Sequence, residues 1–433
     1  MGEIFILPKS ICLTTAVFIF FLLLACFLVS RVNFFINAGI QKKWLVLLFL
    51  SKIGAGMLYA FFYARMADSD TWQFFIKSKT ETDWLMRDPS AFIRDLFSYG
   101  YQHSGGLFSG QNSYWNDLKS NLLVKILAVV NVFTDKNYFA DLVVFNLLYF
   151  LGPVALFRLM YEQFPGKKRL LLWTVFLIPS FLFWCSGLHK DGLIFSSIAM
   201  GMYFFSKLLK AGRFQGGPFA GILICLLFLF ALRNFLFFLI LPALTCWGLG
   251  IRYPARKNLF YVCTYLLGIA LFFCIPLIYP PGNFPQLIIE KQAEFKALGG
   301  NSQILLRQLD PDFFSFLRFL PAALDMIFLQ PHINSVRNFS YVPAIAENML
   351  LLGLLLFSVL FLNKEIGCFS PLMLFCLFFS LSVLLIAGYT ITLSAAIMRY
   401  KSVVLPLLVT PLLAAIDQKK LIRIMGLRSS KST

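Results

Sequence analysis

Residues 369–390 read FSPLMLFCLFFSLSVLLIAGYT, 22 residues without a single charged side chain. At 1.5 Å per residue a helix of that length reaches about 33 Å, enough to cross a hydrocarbon core of about 30 Å. In water such a helix has no polar face to show. The reading is therefore a transmembrane helix, and the rest of the chain repeats the pattern. Further apolar runs occupy Ile11–Val29, Trp44–Tyr63, Tyr138–Tyr161, Leu170–Ser186, Leu193–Leu209, Phe219–Leu232, Phe235–Gly250, Leu259–Tyr279, Met349–Leu362 and Val403–Ile416. Together they predict an all-α polytopic membrane protein of about eleven spans.

Composition leads the same way. Of 433 residues 59% are hydrophobic and only 13% charged, so a soluble fold would lack polar residues to cover its surface. The net charge of +18 would suggest nucleic acid in a soluble protein. Here it matches basic loops that set orientation, and no nucleic-acid module is visible. The nine cysteines lie in or beside apolar runs without CxxC spacing, so neither a disulfide framework nor a zinc site is expected. The run Ile11–Val29 has no basic leader and no small-residue cleavage site, which argues against a signal peptide.

The runs divide the chain into 1–64 (two spans), 65–137 (a long polar stretch), 138–279 (a bundle), 280–347 (a second polar stretch), 348–416 (last spans) and 417–433 (a basic tail). Arg233 and Asn234 separate a pair of short runs and predict a tight helical hairpin with Arg233 at its turn. Leu122–Phe133 is too short to span and is expected along the membrane surface or as a re-entrant piece. Alternate connections carry Arg31/Lys42/Lys43, Lys167/Lys168/Arg169, Lys207/Lys210/Arg213 and Arg252/Arg256/Lys257, and the tail carries five more bases. The positive-inside rule places these in the cytoplasm, with the N-terminus and both long polar stretches outside and the C-terminus inside.

That topology puts His103, His189 and His332 on the outer side, with Asp68, Asp70, Lys190, Asp191, Arg337 and Arg399. Asp68 and Asp70 leave the second span at i and i+2. Scarce interfacial water lets one act as a general base, and both can share a divalent cation; a solvated helix end explains them equally. His189, Lys190 and Asp191 crowd a short turn, where charge needs a partner. His189 and Lys190 can hold a phosphate, and Asp191 can cap the next helix. Pro311, Pro321, Pro331 and Pro343 punctuate short helical pieces around His332, and Arg337 can pair with Glu347 or meet a substrate anion. Arg399 is a fork of donors suited to phosphate, or an interfacial arginine that snorkels.

No P-loop, HExxH, GxSxG or dinucleotide fingerprint is found, and no inverted repeat. Four stretches do resemble the bacterial multi-spanning surface-polysaccharide proteins, a family related in layout to the GT-C glycosyltransferases and the oligosaccharide repeat-unit polymerases. They are Asp68-Ser69-Asp70; Pro179-Ser180 through Phe183-Trp184-x-Ser186-Gly187-x-x-Lys190-Asp191; Leu320-Pro321-x-Ala323 through Pro331 with Glu347-Asn348; and Met398-Arg399-Tyr400-Lys401 with Pro406. The resemblance implies a GT-C-like fold with two large outer loops carrying interfacial helices, in a bacterial inner membrane. It implies Asp68 or Asp70 as base, with His189, Lys190, His332, Arg337 and Arg399 on a polyprenyl-phosphate or polyprenyl-pyrophosphate sugar. The implied activity is sugar transfer or polymerisation on the outer face, beside polysaccharide-assembly partners. In such an enzyme the acidic loop usually follows the first span, whereas here a whole span precedes the one that feeds it. A transporter or flippase for a lipid-linked substrate, and a non-catalytic scaffold, are the competing expectations.

Overall fold

Why the chain forms helix after helix follows from its composition: within lipid every backbone N–H and C=O must be satisfied inside its own segment. The computed structural model describes residues 11–66, 69–97, 114–299, 303–304, 306–332, 341–361 and 370–416. In chain order the helices are α1 (Ile11–Arg31), α2 (Asn33–Ile36), α3 (Lys42–Tyr63), α4 (Asp70–Arg87), α5 (Pro89–Asp95), α6 (Tyr114–Thr134), α7 (Tyr138–Gln163), α8 (Lys168–Phe176) and α9 (Pro179–Trp184). They continue as α10 (Lys190–Ala211), α11 (Gly216–Leu232), α12 (Asn234–Arg252), α13 (Lys257–Ile278), α14 (Phe284–Ala297), α15 (Phe313–Phe328), α16 (Val342–Leu360), α17 (Pro371–Thr390) and α18 (Ser394–Ala414). No strand occurs among the described residues, only an isolated bridge between Gln303 and Leu393.

Nine of these helices, α1, α3, α7, α10, α12, α13, α16, α17 and α18, are long and apolar enough to cross a membrane. The chain is thus a polytopic helical membrane protein in its architecture. Two of the expected eleven spans differ. The run Phe219–Leu232 lies in α11, 17 residues long. The run Leu170–Ser186 is not one helix: it breaks at Leu177 and Ile178 into α8 and α9. Pro179 is the cause, because a proline disfavours the α conformation in the residue before it. Pro321, by contrast, stays inside α15 and does not end it.

The helices α1 and α13 show what surrounds them. Leu266, Leu267, Leu277 and Ile278 of α13 are exposed, and Tyr261 is its one buried residue. Such apolar surface is at home against lipid and costly against water.

Two compact units form. The first is drawn from Met1–Leu159 and Phe181–Asn234. Phe49, Phe145, Tyr149, Phe150, Phe157, Phe181 and Phe195 are wholly enclosed in it. In this unit the polar stretch after α3 becomes the helical pair α4 and α6, with α6 also against α11. The segment Leu122–Phe133, expected as a surface piece, is the C-terminal portion of α6. Its buried Lys125 lies 2.7 Å from Glu81 and 2.9 Å from Asp95, between the rings of Trp84 and Phe92. One turn on, Thr82 donates to the carbonyl of Ala128, and Asn131 donates to Ser78 at 2.8 Å. Lys136 lies 2.6 Å from Asp83, and that hydrogen bond holds the carboxyl below the usual carboxylate range.

The second unit is drawn from Met160–Ser180 and Phe235–Thr433. Helix α17 packs against α13, α14, α15 and α18, while α18 also meets α8 and α16. Tyr389 ties the centre: its hydroxyl donates to the carbonyl of Phe316 at 2.7 Å, and its own carbonyl accepts from Gln292.

Candidate functional site

Besides the polar pairs between α4 and α6, each unit encloses a polar cluster in its interior. In the first unit it is the turn Cys185–Gly192. Sequence explains why the chain can turn here: a Cβ on Gly187 would strike the ring of Tyr59, and one on Gly192 would lie 2.5 Å from the ring of Tyr149. Around these glycines the backbone carbonyls are gathered up by side chains. Lys52, in the middle of α3, donates to the carbonyl of Cys185 at 2.5 Å and to the hydroxyl of Ser186 at 3.1 Å. Its ammonium also lies over the rings of Tyr149 and Phe181. A cation beside carbonyls left over at a helix C-terminus is electrostatically favoured. Asn146 donates to the carbonyl of Ser186 at 2.8 Å, and Tyr149 donates to that of His189 at 2.8 Å.

The charged portion of the turn is sealed. His189 and Asp191 have no exposed surface. His189, not Asp191, caps α10: its Nδ1 accepts from the backbone N–H of Asp191 at 3.3 Å and lies 3.1 Å from Asp191 Oδ2. Asp191 Oδ1 accepts from Arg233 Nη2 at 2.8 Å. Arg233 is the residue between α11 and α12 in sequence, and its guanidinium points into the first unit as a counter-ion. The turn is a lock in which His189, Asp191 and Arg233 hold one another. Lys190 is half-buried at the start of α10.

In the second unit the cluster joins the end of α15, the start of α16 and α18. Glu347 accepts twice from Ser180, from its backbone N–H at 2.8 Å and from its hydroxyl at 2.6 Å. Next to it, Asn348 donates to the carbonyl of Gln330 at 2.6 Å and accepts a short hydrogen bond from Lys401. Lys401, 6% exposed, also donates to the carbonyl of Ile327 at 3.3 Å. Three stretches far apart in sequence thus meet: Pro179-Ser180, Gln330-Pro331 with Glu347-Asn348, and the Lys401 end of Met398–Lys401.

Lys401 and Asn348 are the polar residues in the wall of a narrow cleft of about 20 Å³; the rest is Leu351, Leu355, Leu405, Leu408 and other apolar side chains. Just beyond the end of α15, His332 Nε2 lies 3.0 Å from Asp325 Oδ2, and both side chains are partly exposed.

The remaining expectations fall as follows. Asp68, His103 and Arg337 lie outside the described residues. Asp70 is exposed in the first turn of α4, where a carboxylate is favoured by the helix dipole. Arg399 is half-buried on α18, two residues before Lys401. Among the described residues no group of three or more His, Cys, Asp or Glu is placed to hold a metal ion, and the cation expected at Asp68 and Asp70 rests partly on a residue outside them. Sequence reasoning passed over Lys52, Asp325 and Lys401. The signal for Lys52 was there: a lysine in mid-span must have a partner or a task. Lys401 stands in a stretch that the sequence singles out, but Arg399 overshadows it there.

Comparison of the chain with known protein families, with curated proteins and with solved structures returned no match.

Proposed function

We propose that the protein is a membrane-embedded glycosyltransferase or polysaccharide polymerase that takes its sugar from a polyprenyl-phosphate or polyprenyl-pyrophosphate carrier at the outer face of a bacterial inner membrane. One observation carries the reading: a buried ammonium, Lys401, stands at the wall of an otherwise aliphatic cleft. A sugar-linked isoprenoid phosphate has that same split chemistry, an anionic phosphate on a branched hydrocarbon tail, and gains a second negative charge as the sugar leaves. The segment of the tail nearest the head packs along the aliphatic residues that line the narrow cleft, and the remainder lies in lipid. Lys401 exchanges its bond to Asn348 for the phosphate, a charge-assisted contact in a site where water is scarce. The same ammonium then stabilises the phosphate as it leaves. The meeting of three of the stretches that resemble the polysaccharide group at this one place supports the reading further.

The test uses the purified full chain in proteoliposomes with C55 polyprenyl phosphate linked to glucose, galactose, mannose or N-acetylglucosamine. Release of C55 polyprenyl phosphate from at least one donor is the expected result. No release from any donor, together with no saturable binding of C55 polyprenyl phosphate, removes the proposal.

A further inference from the structure

A sugar transfer of this kind needs a group to take the proton from the attacking hydroxyl, and the second unit offers one beside the cleft. We infer that His332 is the general base of the reaction, with Asp325 as its positioning residue; the inference rests on the reading of the cleft given above.

The placement is the first argument. Asp325 sits on α15 three residues before Phe328, and Phe328 lines the cleft. Residues at i and i+3 share a helix face, so the carboxylate and the cleft wall are neighbours. His332 is tied to the same place through Gln330, whose side-chain oxygen accepts from the backbone N–H of His332 at 3.3 Å. The backbone carbonyl of Gln330 accepts from Asn348, which lines the cleft with Lys401.

The second argument is the pairing itself. A carboxylate 3.0 Å from Nε2 takes the N–H there and leaves the lone pair on Nδ1. That is the arrangement a base needs: one nitrogen held, the other presented. The partial exposure of both side chains leaves room for an acceptor, which the sealed His189 does not. The first unit's histidine and the second unit's histidine thus have opposite characters, although the sequence offers them alike.

The step balances as follows. Nδ1 of His332 takes the proton of the acceptor hydroxyl as its oxygen bonds to the anomeric carbon. The bond from that carbon to the phosphate oxygen breaks, and its electron pair stays with the polyprenyl phosphate, facing Lys401. The imidazolium, stabilised by Asp325, later returns its proton to solvent.

The experiment compares full-length wild type with His332→Gln, Asp325→Asn and Asp325→Glu, using the four C55 donors with free hexoses and water as acceptors. Binding of C55 polyprenyl phosphate is measured alongside and should stay within about twofold in every variant, which also shows that each folds. His332→Gln should lower kcat by about 10²–10⁴-fold, the usual worth of a general base. Asp325→Asn should lower kcat with KM unchanged, and Asp325→Glu should restore some of it. Turnover by His332→Gln within about threefold of wild type overturns the assignment. So does a wild type that binds C55 polyprenyl phosphate yet releases it from no donor, an outcome that leaves the binding cleft standing; loss of binding itself would instead count against the cleft.

Discussion

Replacing Arg233 by methionine should destabilise the first unit severely, and the size of the effect follows from the geometry. Arg233 Nη2 lies 2.8 Å from Asp191 Oδ1, with the two side chains 6% and 0% exposed. Solvent screening therefore does little, unlike at a surface pair. Removing the guanidinium takes the counter-ion from an enclosed carboxylate, and breaking a buried pair from one side costs about 3–5 kcal/mol. Removing both charges is a different matter, because the desolvation of each disappears with it. The double variant Asp191→Leu with Arg233→Met should recover most of the loss, a coupling of about 2–3 kcal/mol. The assay is reversible unfolding of the purified full chain in mixed micelles with increasing denaturing detergent, for wild type, both single variants and the double. Arg233→Met within about 1 kcal/mol of wild type would refute the reasoning, because an enclosed pair cannot be broken so cheaply. The double variant should also bind C55 polyprenyl phosphate normally, since the turn is read as a lock and not as a phosphate site.

Three further outcomes are expected. Gly56→Ala should destabilise by about 1–3 kcal/mol, because its Cβ would lie 2.5 Å from the carbonyl of Ser186. On the same helix Gly54→Ala, with nothing within 4 Å, should be neutral or stabilising by about 0.5–1 kcal/mol in the same unfolding assay. Lys401→Met should weaken binding of C55 polyprenyl phosphate by about 10- to 100-fold, the worth of one charge-assisted hydrogen bond of about 1.5–3 kcal/mol. Equal binding by wild type and variant would remove Lys401 from the site.

Most of the membrane architecture was legible in the sequence because a span is a composition signal, and composition needs no partner to be read. Runs such as Trp44–Tyr63 and Phe369–Thr390 gave their helices nearly to the residue. The run Leu170–Ser186 misled because hydropathy does not register what Pro179 does to the backbone before it. The sites were less legible, for a related reason: which charge answers which is a long-range fact. Nothing near Asp191 in the sequence points to Arg233, and nothing near Asn348 points to Lys401. His189 and His332 illustrate the limit. Both sit next to polar neighbours in sequence, yet one is sealed behind Tyr59 and the other is partly open.

The claim on which the functional account turns is that the cleft between α15, α16, α17 and α18 holds the head-proximal segment of an isoprenoid phosphate. It is tested most directly by photolabelling the full chain with a polyprenyl phosphate bearing a diazirine on an isoprene unit close to the phosphate, followed by peptide mapping. The account predicts labelling concentrated at Leu351–Leu355 and Leu405–Val409, competed away by C55 polyprenyl phosphate and reduced in Lys401→Met. Label spread over the lipid-exposed faces of α1 and α13, indifferent to competitor, would contradict it.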